Sequence, residues 1–454
     1  MEISSGLLPP LVSVKTKLEK IQAGLKVWSR NSFGNITKQI ASVRKNLKDA
    51  ETKAVQGSMG QPDLILTLKE ELRTLLVQEE KLWQQRAKTA WLKDGDQNSR
   101  FFHSRASHRF RRNEILKLER DDGSWCEREH QITTLFVNYF TSLFRSDVPN
   151  INNMDEVLAA TSQVVNPEMN QYLLAEFTKS EVDVALKQMS PLKAHGPDGL
   201  PLIFFQHYWD KIGGDVVKAT LTWLNSGTIC PSFNHTYITL IPKVKCPQKV
   251  TEFRPIALCN ILYKLVSKVL ANSLKKLLPN IISDGFYGYG CISSVSYSIL
   301  VNGEPHGDIK PTRGLRQGDP LFPYLFLLVS ERLNGLIQQA VTVGDLRGFS
   351  LCHNGPQISH LFFADDTLLF CRAELREVQT IQNILQKSEL ALGQKINLGK
   401  TTLFFGKSVS LVSKNAIKNL LGVPKIKEYE RYLGLSAMVG RNRKASLNYI
   451  KERI

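Results

Sequence analysis

Ile358-Ser-His-Leu-Phe-Phe-Ala-Asp-Asp-Thr-Leu-Leu-Phe370 is two short apolar runs flanking a pair of acids. The runs predict the two strands of a β-hairpin, with Asp365 and Asp366 at the tip of its turn. Strands on both sides would hold the carboxylates rigidly. Hard carboxylate oxygens suit Mg²⁺ (or Mn²⁺), whose remaining positions are filled by water and substrate phosphates. Two-metal phosphoryl transfer places the ions about 3.5–4 Å apart and needs several carboxylates to do so. Aspartate is also a common turn residue, so the pair alone does not establish a site.

The surroundings do more. Roughly fifty residues upstream lies Arg316-Gln-Gly-Asp-Pro320, a basic, glycine-containing loop that opens a helix. The free N–H groups of such a loop can hold a phosphate or a template backbone. Further upstream, Lys243 and Arg254 stand on or beside strands, as cations suited to a triphosphate. Trp83 to Arg112 interleaves basic and aromatic residues, among them Trp91, Arg100, Phe101, Phe102, Arg105, Arg109, Arg111 and Arg112. Arginines neutralise phosphates and aromatic faces stack on unpaired bases. Five arginines within thirteen residues exceed what solubility needs, which puts nucleic-acid contact ahead of a merely wet helix face.

Composition agrees. The 454 residues carry 59 Lys and Arg against 42 Asp and Glu, a net +17. More than half of that excess falls in the first quarter, which argues for a polyanionic partner. With 42% hydrophobic and 22% charged residues the chain is globular rather than disordered. No apolar run approaches the roughly 18–20 residues that span a bilayer, so no membrane partner is expected. Met1 to Pro10 lacks a basic stretch followed by a long apolar one, which argues against secretion and for the nucleus or cytoplasm. The seven cysteines are scattered and form no CxxC pair. That disfavours both a disulfide framework and a zinc finger.

Apolar residues at helical spacing (Leu18, Ile21, Leu25, Trp28, then Leu64 to Leu76) predict two long helices, broken at Gln56 to Pro62. Residues 1–120 form a basic helical region and 121–235 a mainly helical connector. Within the connector, Ser190 to Pro201 reads as a turn-rich loop. Thr236 to Lys243 reads as a strand, Phe253 to Leu258 as a short extended segment, and Tyr263 to Leu278 as a helix. A hairpin is expected around Glu304-Pro-His-Gly307, then helices over Leu321 to Gln339 and 374–392, and strand-like pieces at Lys395 to Lys400 and Leu403 to Phe405.

On these residues the sequence resembles the reverse transcriptase of plant LINE-type (non-LTR) retrotransposons. The resemblance runs through Trp91-Leu-Lys-Asp-Gly-Asp-Gln-Asn-Ser-Arg-Phe-Phe-His103, Gly196-Pro-Asp-Gly199, Leu240-Ile-Pro-Lys243 and Phe253-Arg-Pro-Ile-Ala-Leu-Cys-Asn260. It continues in Thr312-Arg-Gly-Leu-Arg-Gln-Gly-Asp-Pro320, Phe363-Ala-Asp-Asp366, Gly393-Gln-Lys-Ile-Asn397 and Tyr432-Leu-Gly-Leu435. It implies an α+β right-hand polymerase: fingers over 236–284, palm over 285–405, the start of a thumb over 406–454. Asp365 and Asp366 match the family's polymerase acids and metal ligands. Gln317 and Gly318, after Arg316, match the loop that shapes the nucleotide and template pocket. Lys243 and Arg254 match positions facing the incoming triphosphate, and Lys400 a lysine near the leaving pyrophosphate. The implied partners are an RNA template, a DNA primer and deoxynucleoside triphosphates. The oligomeric state is left open.

The sequence departs from the family in two places. An acidic strand followed by a helix belongs between the fingers and the Arg316 loop. Here only Gly285 to Ser294 separates Asp284 from the next hairpin. Ten residues reach roughly 33 Å as one strand, too short for a strand, a helix and a return. Neither Asp284 nor Asp308 takes the missing acid's place. Phe322 stands where the family has a small serine. The family's frequent endonuclease domain is not expected before this segment, nor an RNase H-like domain after it. Three readings follow: an RNA-directed DNA polymerase impaired by the lost acid, a non-catalytic RNA- or DNA-binding remnant, or a structural helical protein built on 11–120.

Overall fold

A computed structural model describes residues 9–32, 34–55, 62–87, 104, 107–108, 111–146, 157, 159, 166–227, 231–278, 295–312, 314, 316–350, 357–363, 366–426, 431–432 and 435–436. The chain divides into two compact units. The first comprises Met1–Arg145, Leu173–Leu274 and Phe286–Phe322, and the second Ser146–Tyr172, Lys275–Gly285 and Pro323–Ile454.

The first unit opens with α1 (Pro9–Ser32), α2 (Ile36–Val55) and α3 (Pro62–Ala87). The expected single helix before residue 56 is thus two. Gly34 turns the chain at φ +51°, and the Asn35 side chain accepts the Lys38 N–H at 3.1 Å, capping a new helix. α2 and α3 pair through Ile40 and Val43. β1 (Leu118–Glu119) and β2 (Trp125–Cys126) form a short antiparallel pair before α4 (Glu129–Leu143). Then come α5 (Lys179–Gln188), α6 (Leu202–His207) and α7 (Trp209–Ser226). α1 packs on α7, burying Leu11, Val14 and Leu18.

The centre of this unit is a four-stranded sheet in the order β4-β3-β5-β6: β3 (His235–Pro242), β4 (Phe253–Cys259), β5 (Ser296–Val301) and β6 (Glu304–Ile309). β3 pairs antiparallel with β4 and parallel with β5. Along β3, Thr236, Ile238 and Leu240 are buried, while His235, Tyr237 and Thr239 are half-buried. One face therefore makes core and the other meets solvent. The turn between β5 and β6 lies at Asn302-Gly303, not at Glu304–Gly307 as expected. Both residues take positive φ (50° and 98°), the tight-hairpin geometry that Asn-Gly favours.

α8 (Ile261–Leu277) follows β4 and is apolar on most of its surface, with Leu262, Tyr263, Leu265, Val266 and Val269 all buried. Its N-terminus is seated by the Gly196–Gly199 loop. Asp198 Oδ2 accepts the Ile261 N–H at 2.6 Å, and Asn260 Oδ1 accepts the Asp198 N–H at 2.9 Å. A Cβ at Gly196 would stand 2.4 Å from the Cys259 carbonyl carbon. Gly196→Ala is therefore expected to push the loop off the helix and cost about 1–3 kcal/mol. A urea titration reads this as a lowered midpoint; an unchanged midpoint would show that the loop seats nothing.

In the second unit, α9 (Phe322–Val343), α10 (Leu375–Leu392) and α11 (Leu411–Leu421) accompany β9 (His360–Phe363) and β10 (Asp366–Leu369), after the short pair β7 (Phe349–Ser350) and β8 (Gln357–Ile358). The core gathers Val157, Leu336, Ile337, Leu346, Ile381, Ile384 and Ala391, with Phe362 and Leu369 of the β9–β10 ribbon against it. Lys395 to Lys400 forms no strand as expected, and Leu398 to Lys400 is a turn. Asn397 O accepts the N–H groups of Lys400 and Thr401 at 3.0 Å, and its side chain accepts Lys400 N–H at 3.2 Å, so local bonding wins over extension. No described helix is long and apolar enough to cross a membrane.

Candidate active site and nucleic-acid interface

β4 is an outer strand of its sheet, so half of its backbone groups face away from β3. The Arg316–Asp319 loop covers part of that edge: Gln317 O accepts the Ala257 N–H at 2.9 Å. Gly318 sits at φ +103°, and a Cβ there would meet Ala257 O at 3.4 Å. A left-handed residue in close approach to a strand is a position for glycine. Gln317 and Gly318 are exposed; the residues on either side of them are not.

Arg316 is 5% exposed. Its guanidinium donates to Thr236 Oγ1 at 3.3 Å and to Asn234 Oδ1, and its Cζ lies 4.0 Å from the Tyr263 ring centroid. Burial opposes its charge, but Tyr263, Cys259, Asp319 and Tyr297 around it outweigh that and hold it protonated. The sequence reading placed Arg316 among the nucleotide- and template-binding residues. Its guanidinium instead points into the core, braced by groups 57 to 82 residues away in the chain. Asp319 is its buried counterpart. Its carboxylate accepts from the Tyr263 and Ser267 hydroxyls and from the Leu321 N–H, at 2.9 Å for the last. Phe322 is half-buried and donates its N–H to Asp319 O at 3.3 Å, so the ring is accommodated at the start of α9.

Sequence reading gave Asp319 only as the end of a template-positioning segment, and missed Tyr263, Ser267 and Asn234. The one available signal was an aspartate before Pro320 at a helix start, a capping pattern. The other three are ordinary apolar-segment residues until the fold brings them together.

Arg254 is exposed on β4, opposite Ile241, and lies on the same strand as Ala257, which holds the loop. Lys243 is exposed just past β3, and its Nζ donates to Thr251 O at 2.7 Å. The first unit thus brings Lys243 and Arg254 to the β3–β4 end and Gln317 and Gly318 to the β4 edge.

In the second unit, β9 and β10 pair antiparallel, with Asp366 opposite Phe363. Asp366 is exposed and opens β10, while Asp365 lies outside the described residues. Among the strands described, the ribbon pairs with no third strand. Leu361, opposite Leu368 on the face that Asp366 shares, is 45% exposed. A hard carboxylate at a ribbon tip has the right chemistry for a divalent ion. Among the described residues, however, no group of three or more His, Cys, Asp or Glu could hold a metal. Lys400 is exposed in the turn after α10. Trp91, Arg100, Phe101, Phe102, Arg105 and Arg109 lie outside the described residues; Arg111 and Arg112 are exposed in a short helical stretch.

Residues 290–436 match the family described as reverse transcriptase (RNA-dependent DNA polymerase). An uncharacterized mitochondrial protein of Arabidopsis thaliana is 50% identical over 80 residues, 18% of this chain and 65% of that protein. The transposon TX1 uncharacterized 149 kDa protein of Xenopus laevis is 27% identical over 244 residues, 54% of this chain and 18% of that protein. The chain thus spans less than two thirds of each of these relatives. Residues 290–436 are thus similar to a reverse transcriptase domain, within a chain of mixed helix and sheet.

Proposed function

We propose that this chain is an RNA-directed DNA polymerase domain of a plant LINE-type (non-LTR) retrotransposon, impaired because one acidic strand of its palm is absent. The observation that carries the reading is the β9–β10 ribbon: Asp366 opens β10 opposite Phe363, inside the segment that matches the reverse transcriptase family. The arrangement of Lys243, Arg254, Gln317 and Gly318 along β3 and β4 supports it.

In this reading Lys243 and Arg254 neutralise the incoming triphosphate, and Gln317 and Gly318 line the nucleotide and template pocket. Lys400 attends the departing pyrophosphate. Asp365 and Asp366 hold Mg²⁺, which when bound screens the phosphate charges during in-line displacement. The basic and aromatic stretch from Trp91 to Arg112 grips the template through phosphates and stacked bases. Fingers span 236–284, an incomplete palm 285–405 and the start of a thumb 406–454. The basic helical region over 1–120 and the connector over 121–235 precede them.

A second reading, a binding remnant without chemistry, is favoured by one observation: among the described residues no group of three or more His, Cys, Asp or Glu could hold a metal. Primer extension on poly(A) with oligo(dT) and Mg²⁺ separates the two. The impaired polymerase is expected to extend slowly, and Asp365→Asn to abolish what remains. Salt-dependent binding with no extension would leave only the remnant; absence of nucleic-acid binding at low salt would sink both.

A further inference from the structure

We infer that Tyr263 is the positioning residue of the Gln317–Gly318 loop. The inference rests on the proposed function for what the loop touches, but not for how the loop is held. Tyr263 is 1% exposed on α8. Its ring lies under the Arg316 guanidinium, with Cζ 4.0 Å from the ring centroid. Its hydroxyl donates to Asp319 Oδ2. One side chain therefore meets both ends of the four-residue loop.

Ser267, one helical turn further along α8, donates to the other carboxylate oxygen, Oδ1. That oxygen also accepts the Leu321 N–H and so fixes the start of α9. Between these two anchored ends only Gln317 and Gly318 reach solvent. They rest on the strand through the bond from Ala257 N–H to Gln317 O at 2.9 Å. The height of the loop above β4 is thus set from beneath, by two buried side chains of α8. A space-filling tyrosine would need only its ring. A positioning one needs the hydroxyl as well, and the two are separable: Tyr263→Phe keeps the ring under Arg316 and removes the bond to Asp319.

Hydrogen exchange on the full chain reads the loop through the Ala257 amide. In Tyr263→Phe, protection at Ala257 is expected to fall by about tenfold or more, while amides of β3 keep theirs. Asp319→Asn should act alike, and the double variant should be no looser than the worse single one, because both remove one shared bond. Ser267→Ala supplies the second reading if Tyr263→Phe does not fold. Unchanged protection at Ala257, or loosening spread equally over β3, overturns the inference.

Equilibrium binding of dTTP to the chain on poly(A)·oligo(dT) is the second readout. Affinity should drop by about tenfold in Tyr263→Phe with template occupancy unchanged, the mark of a distorted pocket rather than a lost fold. Equal dTTP affinity in a demonstrably loosened variant would also overturn the assignment. A wild-type chain that binds no dTTP would sink the proposed function instead, and the exchange result alone would then judge Tyr263.

Discussion

Arg316→Met is expected to destabilise the first unit by about 3–5 kcal/mol, the usual cost of removing one member of a buried charged network. Three losses combine. Asn234 Oδ1 and Thr236 Oγ1 give up their donor, and buried acceptors left short of a partner each cost about 1–3 kcal/mol. The Tyr263 ring loses the cation lying over it. Asp319, 9% exposed, keeps its three donors but loses the attraction of the Arg316 charge. The thioether fills part of the volume, so packing offsets little of this. Arg316→Lys should recover less than half, because an ammonium cannot reproduce the planar fork that reaches Asn234 and Thr236 together. Trp223 is a natural reporter: it is 2% exposed and 6.2 Å from the Tyr263 ring. A fluorescence-monitored urea titration should show the midpoint falling sharply in Arg316→Met. A shift worth under about 1 kcal/mol would mean the guanidinium behaves as a surface group, whose substitutions usually fall within ±0.5 kcal/mol.

That burial explains what sequence reading could and could not see. β3, β4 and the β9–β10 ribbon were legible because short runs of branched and aromatic residues bounded by turn signals leave few alternatives. Arg316 misled for the opposite reason. Arginine is almost never buried, so a motif rich in it reads as surface. Only the approach of Asn234, Thr236 and Cys259, far away in the chain, turns it inward. The breaks at Gly34 and Asn302-Gly303 were visible in the residues themselves; periodicity outweighed them at the first, and Pro305 and Gly307 drew the turn too late at the second. The Leu398 to Lys400 turn was hidden by the branched Ile396 before it and revealed only by what Asn397 bonds.

The same sheet bears on the acidic block that the proposed function takes to be missing. β3 has β4 on one side and β5 on the other, so both of its edges are filled. A further strand inserted between residues 278 and 295 could not join there without displacing β5. The ribbon formed by β9 and β10 carries Asp366 and pairs with no third strand among those described. An added acidic strand would pair there and place its carboxylate beside Asp366. Inserting such a strand is accordingly the change expected to raise extension, if the reading of an impaired polymerase holds.

Asp198→Asn is expected to stabilise the chain near neutral pH and to leave it unchanged near pH 4. Burial pushes the Asp198 carboxyl up from 3.8 to about 6, against the lowering pull of the Ile261 N–H and of Lys264 and His195. Its Oδ1 is buried and meets no hydrogen-bond donor among the described residues. The folded chain therefore binds this proton more tightly than the unfolded chain does. Stability from this group is full below the unfolded value, declines as pH rises from about 4 to about 6, and stays reduced above that. The ceiling on the decline is about 3 kcal/mol, at 1.36 kcal/mol per pH unit. Asparagine caps a helix as well as aspartate does, so the bond to Ile261 survives the change. What disappears is the cost of a bare charge at the seat of α8, and the gain above pH 6 should be about 1–3 kcal/mol. The decisive quantity is the difference between variant and wild type in urea titrations from pH 4 to pH 7.5. A difference that grows through that window identifies Asp198 as the strained group. A difference constant with pH would mean that the carboxyl titrates at its ordinary value and that the loop is held by backbone geometry alone.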